Sequence, residues 1–287
     1  MQIFEKFDLK KITSFKIGGT VDYLIIAKKV SDLENALEFA KNKNLKPYVH
    51  GGGSNVLFED KDFSNVFIWM QIKGCKISDG KLIVGSGVSW TELARYCKEN
   101  TIKGIEGLLT IPGSIGGAVY GNAGAFGQEI LDFISHVEVY NTRKNKIEKI
   151  PVEKIDFGYR HSSFKSKKYL IILSAVFDLN KFKDGIPLEE LKEKRDLKQP
   201  KGLTTGSFFK NPEGDYAGRL IEAAGLKGKQ IGGAKISEKH ANFFMNENNA
   251  SFKDIMQLKE LCENEVFKRY KIKLEAEVQI MLAKDLK

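Results

Sequence analysis

The chain has 287 residues, enough for two or three domains and a sizeable core. At 42% hydrophobic and 29% charged it is excluded from wholesale disorder, collagen and disulfide scaffolds. Lys and Arg number 46 against 37 Asp and Glu, a formal charge of +9, yet the lysines are interleaved with acids throughout, as in LEELKEKRDLK (188–198). That pattern reads first as a solvated lysine-rich surface, with small anionic ligands such as nucleotides as the alternative, and no nucleic-acid partner is expected.

Residues 1–20 show no basic start followed by an apolar core, so no signal peptide is expected. VDYLIIA (21–27) reads as a strand, and Ser31 with Glu34 as a capping box opening a helix to Asn44. KPYVH (46–50) is a second strand, followed directly by Gly51, Gly52 and Gly53. Residues 66–70 and 81–85 read as strands, and Ser89 with Glu92 opens a helix ending near Asn100. From Gly107 to Gln128 no residue is charged, which imitates a membrane span. Seven glycines, Pro112 and Asn122 break any helix there, so the stretch is expected to be a buried glycine-rich loop. ISHVEVYN (134–141) and YLIILSAVFDL (169–179) give the strongest strand signals. After a boundary near 180–187, helices are expected at 188–198, 215–224 and 251–270, the last capped by Ser251 with Asp254, and KLEAEVQIM (273–281) closes the chain as a strand.

The three cysteines, Cys75, Cys97 and Cys262, are scattered and never in CxxC spacing, which fits a reducing, cytoplasmic setting and no cysteine-built metal site. His50, His136, His161 and His240 stand far apart, so no metal site is expected from them either. Gly51-Gly52-Gly53-Ser54-Asn55 follows a strand, so its backbone N–H groups can converge on phosphate oxygens. The run Ile111 to Gly127, IPGSIGGAVYGNAGAFG, repeats the offer on a larger scale, and the two together suggest a large phosphorylated cofactor. Neither GxGxxG after a strand nor GxxxxGK[ST] occurs, so a dinucleotide would have to be held by some other fold. In FGYRHSSF (157–164), Arg160 sits among aromatic and small residues, where a guanidinium can be aimed at a carboxylate. GSFFKNP (206–212) presents a hydroxyl, an ammonium and an amide within five positions, and Glu275 and Glu277 point the same way if 273–281 is a strand; taken singly each of these, Arg160 included, reads as a surface or packing feature, and their value lies in the combination.

These motifs, together with TSFKIGG (13–19), AGRLIEAAGLKGKQIGGAKISEKHANFF (217–244) and LEAEV (274–278), resemble the UDP-N-acetylenolpyruvoylglucosamine reductase family over nearly the whole chain. The resemblance implies an α+β fold: an FAD-binding half of the vanillyl-alcohol-oxidase type with subdomains at 1–70 and 71–182, then a smaller substrate-binding domain at 183–287. It implies noncovalent FAD with its pyrophosphate on Gly51, Gly52, Gly53, Ser54 and Asn55, and its flavin end near Pro112, Gly113, Gly116, Gly117, Ala118, Asn122 and Gly124. NADPH would be the hydride donor and a UDP-sugar the substrate. The family's catalytic groups fall on Arg160, Ser207 and Glu277, and its substrate-side positions on Lys210, Asn211 and His240. Only 47 positions separate Arg160 from Ser207, as in the shorter subgroup that lacks a tyrosine-bearing loop over the substrate. His50 stands where an aliphatic residue is expected and is read as a packing variant. A monomer is expected. The rival readings are a flavin-dependent oxidase of the same fold and a non-enzymatic basic nucleotide binder.

Overall fold

Apolar runs become strands where at least one face can be covered, and most of the predicted strands form. The computed structural model describes residues 1–183 and 185–286. Gln2–Asp8, Thr20–Ala27, Phe63–Met70 and Lys46–His50 make a four-stranded sheet in that order. By its contacts the chain divides into two compact units. One comprises Met1–Phe4, Leu24–Gly52 and Val66–Glu193; the other comprises Glu5–Tyr23, Gly53–Asn65 and Lys194–Lys287.

The first unit holds a five-stranded sheet ordered Lys146–Pro151, Ile134–Asn141, Leu170–Asp178, Lys81–Gly85 and Cys75–Ser78. Every neighbouring pair is antiparallel, with Val137 opposite Ala175 and Ala175 opposite Val84. Leu170–Asp178 is buried at every position but its two ends, which marks it as the central strand. Trp90, Leu93, Ile115, Val119, Phe164 and Phe177 fill the core beside it. The edge strands Cys75–Ser78 and Lys146–Pro151 were not foreseen, because their half-exposed, lysine-bearing sequences lack clean alternation. Trp90–Glu99 begins as expected: Ser89 Oγ accepts from Glu92 N–H, and Glu92 Oε2 accepts from Ser89 N–H.

Three expectations need correction. The first helix spans Val30–Asn42, and the carboxylate at its start is Asp32, which accepts from the N–H groups of Lys28 and Lys29; Ser31 and Glu34 therefore lie inside the helix. The glycine-rich stretch is not all loop. Leu108–Thr110 is a 3-10 turn, and Ile115–Gly121 is a helix despite Gly116 and Gly117. Gly116 serves close packing, since a Cβ there would lie 2.8 Å from Ser86 Cβ. The closing strand is shorter than 273–281: only Gln279–Met281 is a strand, pairing in parallel with Val56–Phe58, while Ala276 makes an isolated bridge to Phe209. Among the described residues no helix is long and apolar enough to cross a membrane.

The second unit packs the sheet Gln230–Ile231, Ala234–Ile236 and Phe244–Asn246 with the helices Ala217–Ala223 and Phe252–Tyr270. Ile255, Leu258, Cys262 and Val266 recur at helical spacing and bury one face of the long helix. Phe208 stacks on Phe244 at 4.3 Å between ring centroids, with Phe209 edge-on at 5.9 Å. Each ring buried in this way contributes about 1.5–3 kcal/mol, so the GSFFKNP segment is anchored from below by its own aromatics.

Candidate active site

The glycines of the first unit act through the side chains they lack. A Cβ on Gly52 would sit 2.7 Å from both Gly113 Cα and Ser114 N, and one on Gly51 would sit 3.1 Å from Ser114 Oγ and 3.7 Å from Gly117 Cα. The Gly51-Gly52 turn is therefore nested on the backbone of residues 113–117 as closely as backbone allows. Around this cradle polar atoms stand ready. Ser86 Oγ, Ser114 Oγ and Asn122 Oδ1 are buried without a hydrogen-bond partner among the described residues. A backbone junction too close to admit a Cβ, with the unsatisfied Ser114 hydroxyl beside it and that of Ser86 beside Gly116, fits a phosphorylated cofactor rich in acceptor oxygens. In the second unit Gly53 (φ 67°) accepts from Ser14 N–H at 3.0 Å, and Asn55 Nδ2 donates to the Glu277 carbonyl at 3.3 Å. His50 is buried, its ring centroid 6.4 Å from that of Tyr48.

Arg160 sits at the turn of the hairpin Phe157–Gly158 and His161–Ser162, in the left-handed region at φ 54°. For a non-glycine residue that conformation costs about 1–2 kcal/mol, so its surroundings must hold it. Lys165 Nζ donates to the Arg160 carbonyl at 2.7 Å, Arg160 Nη2 donates to the Gly124 carbonyl at 3.2 Å, and its Nη1 lies 4.0 Å from Glu129 Oε1. Asn122, fully buried and itself left-handed at φ 47°, ties the group together. Its Nδ2 donates to Glu129 Oε2 at 2.8 Å and to the Gly158 carbonyl at 2.9 Å. The result is a half-buried, oriented guanidinium of the kind that meets a carboxylate. Glu129, Ser86 and Ser114 were not singled out from sequence; a carboxylate at that distance along the chain from Arg160 carries no local signal.

The second unit gathers the remaining candidates by a short ladder. Ser207 bridges to Phe243 and Phe209 to Ala276; Glu277 N–H donates to the Phe208 carbonyl at 2.8 Å, and Lys210 N–H to the Glu275 carbonyl at 2.9 Å. Ser207, Lys210 and Glu277 are thus held on adjoining stretches of backbone. The side chains of Glu275 and Glu277 differ in setting: Glu275 is exposed and paired with Lys210 Nζ, whereas Glu277 is half-buried. Asn211 Oδ1 accepts from Ala217 N–H at 3.1 Å, at the start of a helix. His240 is half-buried, its ring 4.8 Å from that of Phe243 and its Cε1 3.0 Å from where a Cβ on Gly218 would lie. Its Nδ1 accepts from Asn242 N–H at 3.2 Å, and burial holds its pKa below the usual histidine value. The ring is therefore neutral near pH 7 with its proton on Nε2, a donor to an acceptor placed there. Asn242, whose N–H makes this contact, was not predicted.

Comparison with known proteins finds family matches over most of the chain. Residues 198–281 match the family described as UDP-N-acetylenolpyruvoylglucosamine reductase, C-terminal domain, and residues 21–150 match the family described as FAD binding domain. A UDP-N-acetylenolpyruvoylglucosamine reductase of Fusobacterium nucleatum is 39% identical, covering 98% of this chain and 100% of that protein. One from a Thermotoga species is 40% identical over 98% of this chain and 93% of its own length. The crystal structure of the reductase from Thermus caldophilus superposes with a TM-score of 0.78 at 30% identity, covering 97% of this chain and 98% of that one.

Proposed function

The chain belongs to the UDP-N-acetylenolpyruvoylglucosamine reductase family, and from that premise we propose how its own residues divide the work. It is an FAD-dependent oxidoreductase of peptidoglycan precursor synthesis, reducing UDP-N-acetylglucosamine enolpyruvate to UDP-N-acetylmuramate with NADPH as hydride donor. Residues 1–70 and 71–182 hold the cofactor and 183–287 the substrate. Gly51 to Asn55, with Pro112, Gly113, Gly116, Gly117, Ala118, Asn122 and Gly124, make the FAD site; the close approach at Gly52 and the unpartnered Ser114 hydroxyl support this. Bound there, FAD supplies the hydride chemistry that no side chain can.

Hydride arriving at the methylene carbon of the enolpyruvyl ether leaves negative charge on the adjacent carbon and its carboxylate. Arg160, oriented by Gly124 and Glu129, supplies fixed positive charge and a planar fork for that carboxylate. Ser207 delivers a proton to the adjacent carbon, which completes the reduction. Glu277, half-buried on the stretch beside Phe208, polarises groups around the same carbon. Lys210, Asn211 and His240 hold the UDP-sugar: Lys210 exchanges Glu275 for a phosphate, and His240 donates from Nε2.

The protein works as a monomer in the cytoplasm, a setting that suits free cysteines whose burial pushes Cys75 up to about 11 and Cys97 up to about 12. The observation that carries the assignment of the substrate side is the direct backbone bond from Glu277 to Phe208, the neighbour of Ser207. Its test is anaerobic titration of the purified flavoprotein: NADPH should bleach the visible flavin band, and UDP-N-acetylglucosamine enolpyruvate should restore it. A band that the enolpyruvyl compound fails to restore would overturn the reading.

A further inference from the structure

The segment Ser207 to Lys210 lies between two stretches of backbone, and one side departs from a regular ladder. Ser207 bridges to Phe243, with Phe208 N–H donating to the Asn242 carbonyl at 2.7 Å. The next rung would need a further backbone peptide, but the chain turns back here, Phe243 N–H closing onto the His240 carbonyl at 2.9 Å. The side chain of Asn242 fills that rung. Its Oδ1 accepts from Phe209 N–H at 2.9 Å, and its Nδ2 donates to the Phe209 carbonyl at 2.8 Å. One carboxamide satisfies both backbone groups of a buried residue.

Asn242 is itself 2% exposed, so neither of these groups has water as a substitute. A carboxamide carries donor and acceptor as a peptide group does. Aspartate loses the donor, leucine loses both, and glutamine sets the amide one methylene too far. On the other side of the segment, the Phe208 carbonyl accepts from Glu277 N–H at 2.8 Å. Phe208 is therefore tied to Asn242 through its N–H and to Glu277 through its carbonyl. The N–H of Asn242 also selects the His240 tautomer.

We infer that Asn242 is a positioning residue for the substrate half-reaction: by standing in for a missing rung it fixes Ser207 in register with Glu277. This rests on the proton-donor role given above to Ser207. The test is anaerobic stopped-flow absorbance of the FAD-loaded enzyme carrying Asn242→Asp or Asn242→Leu. Flavin content and reduction by NADPH should stay within about twofold of wild type, while reoxidation by UDP-N-acetylglucosamine enolpyruvate slows about tenfold or more. Since Asn242 acts through Ser207, adding Asn242→Asp to Ser207→Ala should slow reoxidation little beyond Ser207→Ala alone. Unchanged reoxidation, equal slowing of both half-reactions, or losses that multiply in the double variant would overturn the inference. If the leucine variant does not fold, Asn242→Asp decides alone, because it keeps the size and the acceptor. The two readings fail differently. Ser207→Ala slow with Asn242→Asp fast sinks the positioning role, whereas Ser207→Ala at full speed sinks the proton donor.

Discussion

The glycine cradle and the Ser207 ladder solve opposite problems. Around Gly52 the chain removes side chains so that backbone can approach backbone at distances no Cβ permits, and it leaves hydroxyls at Ser86 and Ser114 unpaired. Around Ser207 it does the reverse, stacking Phe208 and Phe209 beneath the segment and bringing in an asparagine side chain to complete the hydrogen bonding. A cofactor that stays bound calls for a close-fitting, unsatisfied surface. A proton donor needs a fixed position. The comparison predicts that damage to the cradle removes the flavin, while damage to the ladder leaves the flavin in place and slows one step.

The largest expected effect is at Gly52. Gly52→Val should weaken FAD binding at least about a hundredfold, close to 3 kcal/mol, because its Cβ meets Gly113 and Ser114 backbone. Gly121→Ala, where the added carbon meets nothing within 4 Å, should keep its flavin; fluorescence titration with FAD of both variants checks the contrast. If both lose flavin, close approach is not what distinguishes the cradle.

Arg160 sharpens the comparison, since it lies in the first unit yet is assigned to substrate chemistry. Arg160→Lys should retain flavin and lose turnover on the order of a hundredfold, the scale of one lost electrostatic contact to a developing anion. Steady-state assays alongside flavin content measure both. Nearly full activity would mean that a point charge suffices and the planar fork does not matter.

Residues that only hold the fold should move stability and neither half-reaction. In the second unit, Ser251 Oγ accepts from Asp254 N–H at 3.1 Å to start the long helix, so Ser251→Ala should cost about 1 kcal/mol in urea unfolding. In the first unit, burial pushes the Glu92 carboxyl up, but hydrogen bonds from Lys73 and Ser89 outweigh it and hold the pKa at about 2, below the ordinary 4.5. A carboxyl depressed in the folded state contributes stability above pH 4.5 that is lost as pH falls toward 2. Glu92→Gln should therefore lower stability near pH 7 and flatten the acid limb of the stability profile between about pH 4.5 and 2; urea midpoints at stepped pH values decide it. The effect is the smallest of the set, because the group is partly exposed and screened.

How far the sequence reading reached follows from the same contrast. The glycine run after the strand stood out because glycine clusters have a local physical meaning, but its packing on residues 113–117 did not, and the helix caps at Ser89 and Ser251 were readable because a capping box spans four residues. The helix Ile115–Gly121 was not, since its glycines argue against helix in isolation and the packing that calls for Gly116 comes from Ser86, some thirty positions earlier. Asn242 was invisible for a related reason. An asparagine after alanine says nothing until residues 207–210 are laid against it, and the apolar alternation of 273–281 overstates a strand that only Gln279–Met281 completes.

The central claim is that the ladder positions a proton donor for one half-reaction and no other. Anaerobic stopped-flow absorbance of Ser207→Ala tests it most directly, with both steps followed on one sample. Reduction of the bound flavin by NADPH should proceed at the wild-type rate, and reoxidation by UDP-N-acetylglucosamine enolpyruvate should slow about a hundredfold or more, the scale of a lost general acid. Equal slowing of the two steps, or no slowing of either, would contradict the account and leave Ser207 as a packing residue before Phe208.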